Sequence, residues 1–114
     1  MSEHTADRIR LVVTTVPDAE TGEGLVRELI EDRLIACGNL VPGATSIYRW
    51  ESVVKKETEV VVLMKTSMAA VPRVFERVAE LHPYEVPELL AFTVESGSDA
   101  YCQWVVDEIK EVNA

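Results

Sequence analysis

Cysteine is scarce in this chain: the two present, Cys37 and Cys102, lie far apart and make no Cys-x-x-Cys pair. That usage speaks for a reduced compartment with two unpaired thiols. Long apolar runs are missing too. None approaches the roughly 20 residues with which a helix crosses a bilayer, so no membrane-spanning helix is expected. The polar, acidic opening Met1–Asp7 has no signal-peptide pattern, and a cytoplasmic protein is expected. Basic residues are few, with 11 Lys and Arg against 20 Asp and Glu, a net charge of −9 and no basic patch. Nucleic acid is therefore not expected as a partner, because phosphate neutralisation needs clustered Lys and Arg. The acidic excess favours solubility and attracts cations.

Catalytic signatures are also missing. There is no Gly-rich phosphate loop, no Ser-His-Asp set and no His-Glu-x-x-His pair. Nothing assembles a nucleophile, a base and an oxyanion hole, so a non-enzymatic protein with no required cofactor is expected. Repeats, low-complexity tracts and linkers are absent, which leaves one domain over 1–114, with 1–8 as a flexible N-terminal arm. A hydrophobic content of 47% with 27% charged residues is ordinary for a folded domain. At 114 residues, help from a partner subunit is common.

What is present reads as alternating strands and helices. Ile9 to Val16 is β-branched and ends at Pro17-Asp18, a first strand. Asp18 caps a helix over Ala19 to Leu34, with Leu25, Val26, Leu29 and Ile30 at helical spacing. Ala36 to Glu51 is extended, and Pro42-Gly43 within it predicts a bulge. A tight hairpin near Glu51-Ser52-Val53 leads into a return strand from Val54 to Thr66. Thr66-Ser67 caps a second helix beginning close to Met68, with Pro72 in its first turn. Two prolines in His82–Glu88 end that helix, Leu89 to Val94 is a strand, and Tyr101, Trp104, Val105, Ile109 and Val112 mark a last helix. The order β-α-β-β-α-β plus a helix predicts an α+β, ferredoxin-like sandwich with a long β-hairpin. One short chain has little left to cover Ile47, Tyr48, Trp50, Val53 and Val54 on that hairpin, so burial against further copies is expected.

The segment His82-Pro83-Tyr84-Glu85-Val86-Pro87-Glu88 gathers an imidazole, a phenol and two carboxylates between prolines. His82 reads either as a metal ligand or proton carrier helped by Glu85 or Glu88, or as a plain cap of the second helix. Cys37, in an apolar strand without an adjacent cation, reads as a small hydrophobe or a thiolate ligand. Lys65 can reach an anion or lie along the sheet edge. Tyr48, Trp50 and Trp104 read as interface or core aromatics.

Three blocks of the sequence resemble the CutA divalent-cation-tolerance family. They are Ala36-Cys37-Gly38-Asn39-Leu40-Val41-Pro42-Gly43 leading into Ser46-Ile47-Tyr48-Arg49-Trp50-Glu51, then Val62 to Thr66, then Leu81 to Glu88, with Tyr101-x-x-Trp104 in the last helix. The resemblance implies a homotrimer of ferredoxin-like subunits, similar in architecture to the PII signalling proteins, with long hairpins wrapping neighbouring subunits. It implies tolerance of divalent metals, notably copper in bacteria, and for animal members an association with acetylcholinesterase anchoring. On it, His82 and Glu88 are expected to bind Cu2+ or Zn2+ weakly. Lys65, Tyr84, Glu85, Tyr48, Trp50 and Cys37 are expected to line an inter-subunit cleft, and Tyr48, Trp50, Val53 and Trp104 a trimer interface. Two positions depart from the copper-binding relatives: Thr14 stands where some have cysteine, and Leu81 where some have a second histidine. Ser52 takes a place that is often Gly. Sensing of a small anion with Lys65 and Arg49, or a purely scaffolding role, are the alternative functions.

Overall fold

A computed structural model of the chain describes residues 5–109. Its first strand, β1 (Ile9–Val16), takes an inner place in the sheet because both its edges are paired. On one side lies β3 (Val53–Ser67), in register from Ile9↔Ser67 to Val16↔Val60. On the other lies β4 (Leu90–Thr93), from Arg10↔Thr93 to Val13↔Leu90. The outer edge of β3 carries β2 (Cys37–Trp50), giving the order β2-β3-β1-β4 with every pair antiparallel. The helices are α1 (Ala19–Glu31), α2 (Val71–Leu81) and α3 (Asp99–Glu108), and the fold is α+β.

Strand alternation sends Val12, Thr14 and Val16 of β1 and Val60, Val62 and Met64 of β3 to one face. There they meet Leu25, Val26 and Leu29 of α1 and Val74 and Val78 of α2 in the main core. Gly38 marks the closest approach of α1 to β2, since a Cβ there would stand 2.7 and 2.9 Å from the Val26 methyls. Asp18 caps α1 by accepting the Thr21 N–H at 2.8 Å. The helix stops three residues before the expected Leu34, because Arg33 adopts φ 60° and the Leu34 N–H returns to the Leu29 carbonyl.

The Pro42-Gly43 bulge is present as a register shift between Val41 and Ala44, with Gly43 at φ 79°. Beyond it β2 and β3 run on without a third strand, from Ala44↔Glu59 to Trp50↔Val53. This ribbon draws the molecule out to 52 × 25 × 24 Å. Other ends differ by a residue or a turn from expectation. Met68–Ala70 is a 3-10 turn capped by Ser67, so α2 proper starts at Val71, and β4 is shorter than Leu89 to Val94.

The N-terminal arm expected over 1–8 is described from Thr5 onward. Thr5–Arg8 forms a 3-10 turn because Ala6 packs into a second cluster with Ile9, Ala36, Cys102 and Val105. Residues 1–4 lie outside the described residues, as does Val112. In α3 the buried stripe is Cys102 and Val105, while Tyr101 and Trp104 stay over 40% exposed.

The face of the sheet opposite the main core bears three cross-strand rows. They are Cys37–Lys65–Leu11–Phe92, Asn39–Leu63–Val13–Leu90 and Val41–Val61–Thr15. Val41, Leu90 and Phe92 are about half exposed, so this largely apolar face is open.

Candidate ligand groove

The open face continues along the ribbon. The same alternation aims Ser46, Tyr48 and Trp50 of β2 and Lys55, Glu57 and Glu59 of β3 to that side. The loop after α2 rises opposite with Tyr84, Glu85, Val86 and Glu88. Together with Thr15 and Ile47 these residues line an open groove of about 660 Å3. Its walls are aromatic and its charge is acidic, with four carboxylates against one ammonium.

Two phenols are anchored on two of the carboxylates. Tyr84 donates its hydroxyl to Glu59 Oε2 at 2.6 Å, and Glu59 is buried. Tyr48 donates to Glu57. Burial first, and the bond to Glu59 second, push the Tyr84 phenol well above its ordinary value. For Tyr48 the bond to Glu57 is the leading cause of an upward shift. Glu85 and Glu88 stand exposed on the rim.

His82 lies behind the loop, 8% exposed. Its Nε2 is 2.7 Å from the Thr15 carbonyl and its Nδ1 accepts the Tyr84 N–H at 3.1 Å. A carbonyl demands a donor and an N–H demands an acceptor, so the ring is the neutral Nε2–H tautomer. Both nitrogens are then engaged, and the imidazole keeps no lone pair for a metal. His82, expected with Glu88 as a metal ligand, is thus hydrogen-bonded at both nitrogens and is not among the residues that line the groove. Glu88 lines the groove without His82 as a co-ligand.

Of the residues expected at an inter-subunit cleft, the structure brings Tyr48, Trp50, Tyr84, Glu85 and Glu88 together in this groove of one chain, and places Lys65 and Cys37 elsewhere. Those two face each other two rows away from the groove, at the far end of the sheet. Lys65 donates to Asn39 there, and Cys37 Sγ is 3.4 Å from the Tyr101 hydroxyl. That contact, followed by burial, pushes the Tyr101 phenol up to about 12. Trp104 stacks near Tyr101 at 5.8 Å between ring centres, and Val53 sits at the ribbon tip. Sequence reasoning missed Glu57, Glu59 and Lys55. Their signal was period-two spacing in the polar half of β3, which sends all three to one side. Among the described residues no three His, Cys, Asp or Glu side chains gather as a metal cage, and no helix is long and apolar enough to cross a membrane.

The model of a family described as "CutA1 divalent ion tolerance protein" matches residues 10–108. The "Divalent-cation tolerance protein CutA" of Thermus thermophilus is 44% identical over 95 residues, covering 83% of this chain and 92% of that protein. Arabidopsis thaliana "Protein CutA, chloroplastic" is 37% identical over 95 residues, and there the match spans 52% of the relative's length. The crystal structure of CutA1 from Oryza sativa superposes with a TM-score of 0.90 at 33% identity, covering 95% of this chain and 99% of that one.

Proposed function

This chain belongs to the CutA1 divalent ion tolerance family, and from that premise we propose that it is a non-enzymatic, homotrimeric protein that takes divalent cations at carboxylate-lined clefts. The groove carries the reading. Glu57 and Glu59 are oriented by phenols, Glu85 and Glu88 face them from the loop, and the net charge around the cleft is negative. With both nitrogens of His82 engaged, these oxygens are the donors on offer. Oxygen donors suit hard divalent ions better than copper. Since no three-ligand cage forms within one chain's described residues, binding is weak or is completed by a second copy's side chains.

The trimeric part of the proposal is supported by the open apolar rows and by the ribbon. A two-stranded ribbon carrying Ile47, Val53 and Val54 more than half exposed is marginal alone and gains from burial against further copies. Ferredoxin-like subunits sharing these faces, with Tyr48, Trp50, Val53 and Trp104 at the contacts, satisfy both features. The chloroplastic name of the plant relative leaves the compartment open within the family, and a cytoplasmic place for this chain rests on its composition.

The test combines light scattering with calorimetry on tag-free protein. A mass near three chains is expected, with heats from Zn2+ or Mn2+ that the double variant Glu85→Gln, Glu88→Gln abolishes. A monomer overturns the assembly. Heats that survive the double variant overturn the groove as the cation site.

A further inference from the structure

The loop that walls the groove is tied from behind to the sheet through His82. His82 ends α2, its own N–H bonded to the Val78 carbonyl at 2.8 Å. Its ring then makes two contacts with backbone groups. Nε2 reaches the Thr15 carbonyl of β1, and Nδ1 receives the Tyr84 N–H. The Tyr84 ring packs on the imidazole, 4.8 Å between centres. The hydroxyl of the same tyrosine closes the chain of contacts on Glu59. Sheet, imidazole, loop and groove carboxylate are thus linked in one series.

We infer that His82 is a positioning residue that binds no metal itself: its neutral Nε2–H tautomer pins the Tyr84–Glu88 loop to β1 and thereby sets Tyr84 against Glu59. Each nitrogen of the ring is used for this. A metal on Nδ1 would displace the Tyr84 N–H, and a metal on Nε2 would leave the Thr15 carbonyl without its donor. Either way the ligand would dismantle the wall of the cleft it was entering. Asn or Gln in place of His82 can supply one of the two contacts, but neither spans both. Only the cation-binding arm of the test rests on the function proposed above.

The experiment uses the full chain labelled with 15N-histidine, which has two imidazoles, His4 and His82, told apart with a His4→Gln variant. Near neutral pH the ring nitrogens of His82 are expected to report the Nε2–H tautomer and to stay unmoved as Zn2+ is added to saturation. Hydrogen exchange at the Tyr84 amide is expected to quicken about fivefold or more in His82→Ala, from the loss of one bond of ordinary strength. In Glu85→Gln, Glu88→Gln it is expected to stay protected while Zn2+ binding weakens. The opposite tautomer, a coordination shift of His82 on adding Zn2+, or unchanged Tyr84 exchange in a folded His82→Ala overturns the inference. If His82→Ala does not fold, His82→Asn and the wild-type nitrogen signals decide. A protein that ignores Zn2+ yet shows the expected tautomer and exchange sinks the cation reading and leaves the positioning role standing.

Discussion

Tyr84 and Glu59 meet across 2.6 Å, phenol to carboxylate, and this bond closes the loop after α2 onto the sheet. Glu59 is 6% exposed, so little water reaches it and the phenol is its side-chain hydrogen-bond donor. Tyr84→Phe removes the hydroxyl and leaves a buried carboxylate short of a partner. A loss of about 1–3 kcal/mol in unfolding free energy is expected. Glu59→Gln, which still accepts from the phenol, should cost less. Denaturant melts of both variants check the order, and a Tyr84→Phe variant as stable as the parent would show that the bond contributes nothing.

The three tyrosines of the chain, 48, 84 and 101, all hold their protons above the ordinary phenol value. The leading causes differ: the bond to Glu57 for Tyr48, burial for Tyr84, and the contact with Cys37 for Tyr101. A group whose pKa is raised on folding adds stability below its unfolded value and gives it up as pH climbs through the folded one. For Tyr101 that window runs from 10.0 to about 12. Tyrosinate absorbance should therefore lag in the native protein and appear near 10 in denaturant. Stability should decline above pH 10, and less steeply in Tyr101→Phe. Native and denatured titrations that coincide would contradict this.

Much of the fold was legible because local signals agreed with one another. Asp18 and Ser67 cap where they were expected to, the Pro42-Gly43 bulge is present, and the prolines end α2. The site was legible only in part. The loop 82–88 stood out by composition, but nothing in sequence says which atoms of His82 are already bonded, since Thr15 lies 67 residues away. Lys65 and Cys37 were drawn into the cleft because their blocks belong to the family pattern. Register places them two rows off, and register emerges only from pairing. Glu57 and Glu59 read as polar ribbon until the return loop is laid over them.

Thr14 shows what a departure in sequence becomes in the fold. It shares a row with Val62 and Leu40 on the helix-covered face, fully buried, and its hydroxyl finds no partner among the described residues. It does not face the groove, which its neighbour Thr15 borders. A buried hydroxyl without a partner costs about 1–3 kcal/mol, so Thr14→Val should raise stability by about 1 kcal/mol and leave cation heats unchanged. Thermal melts and calorimetry check the two halves, and a Thr14→Val variant less stable than the parent would mean that the hydroxyl is bonded after all.

Glu51 and Ser52 form the two-residue turn of the ribbon with φ of 50° and 68°, the left-handed region at both positions. A hairpin turn of that hand favours Asn-Gly, and a side chain there costs roughly 1 kcal/mol relative to Gly. Glu51→Asn with Ser52→Gly should therefore stabilise the protein by about 1 kcal/mol in denaturant melts. The gain tests the ribbon as well as the turn. Trp50 and Val53 pair directly beside it, so a relaxed turn keeps their register and with it the groove wall formed by Trp50 and Tyr48. If the pair of substitutions leaves the melt unmoved, the turn is not under strain. If it lowers stability, the Glu51 or Ser52 side chain makes a contact with another copy of the chain that outweighs its backbone cost.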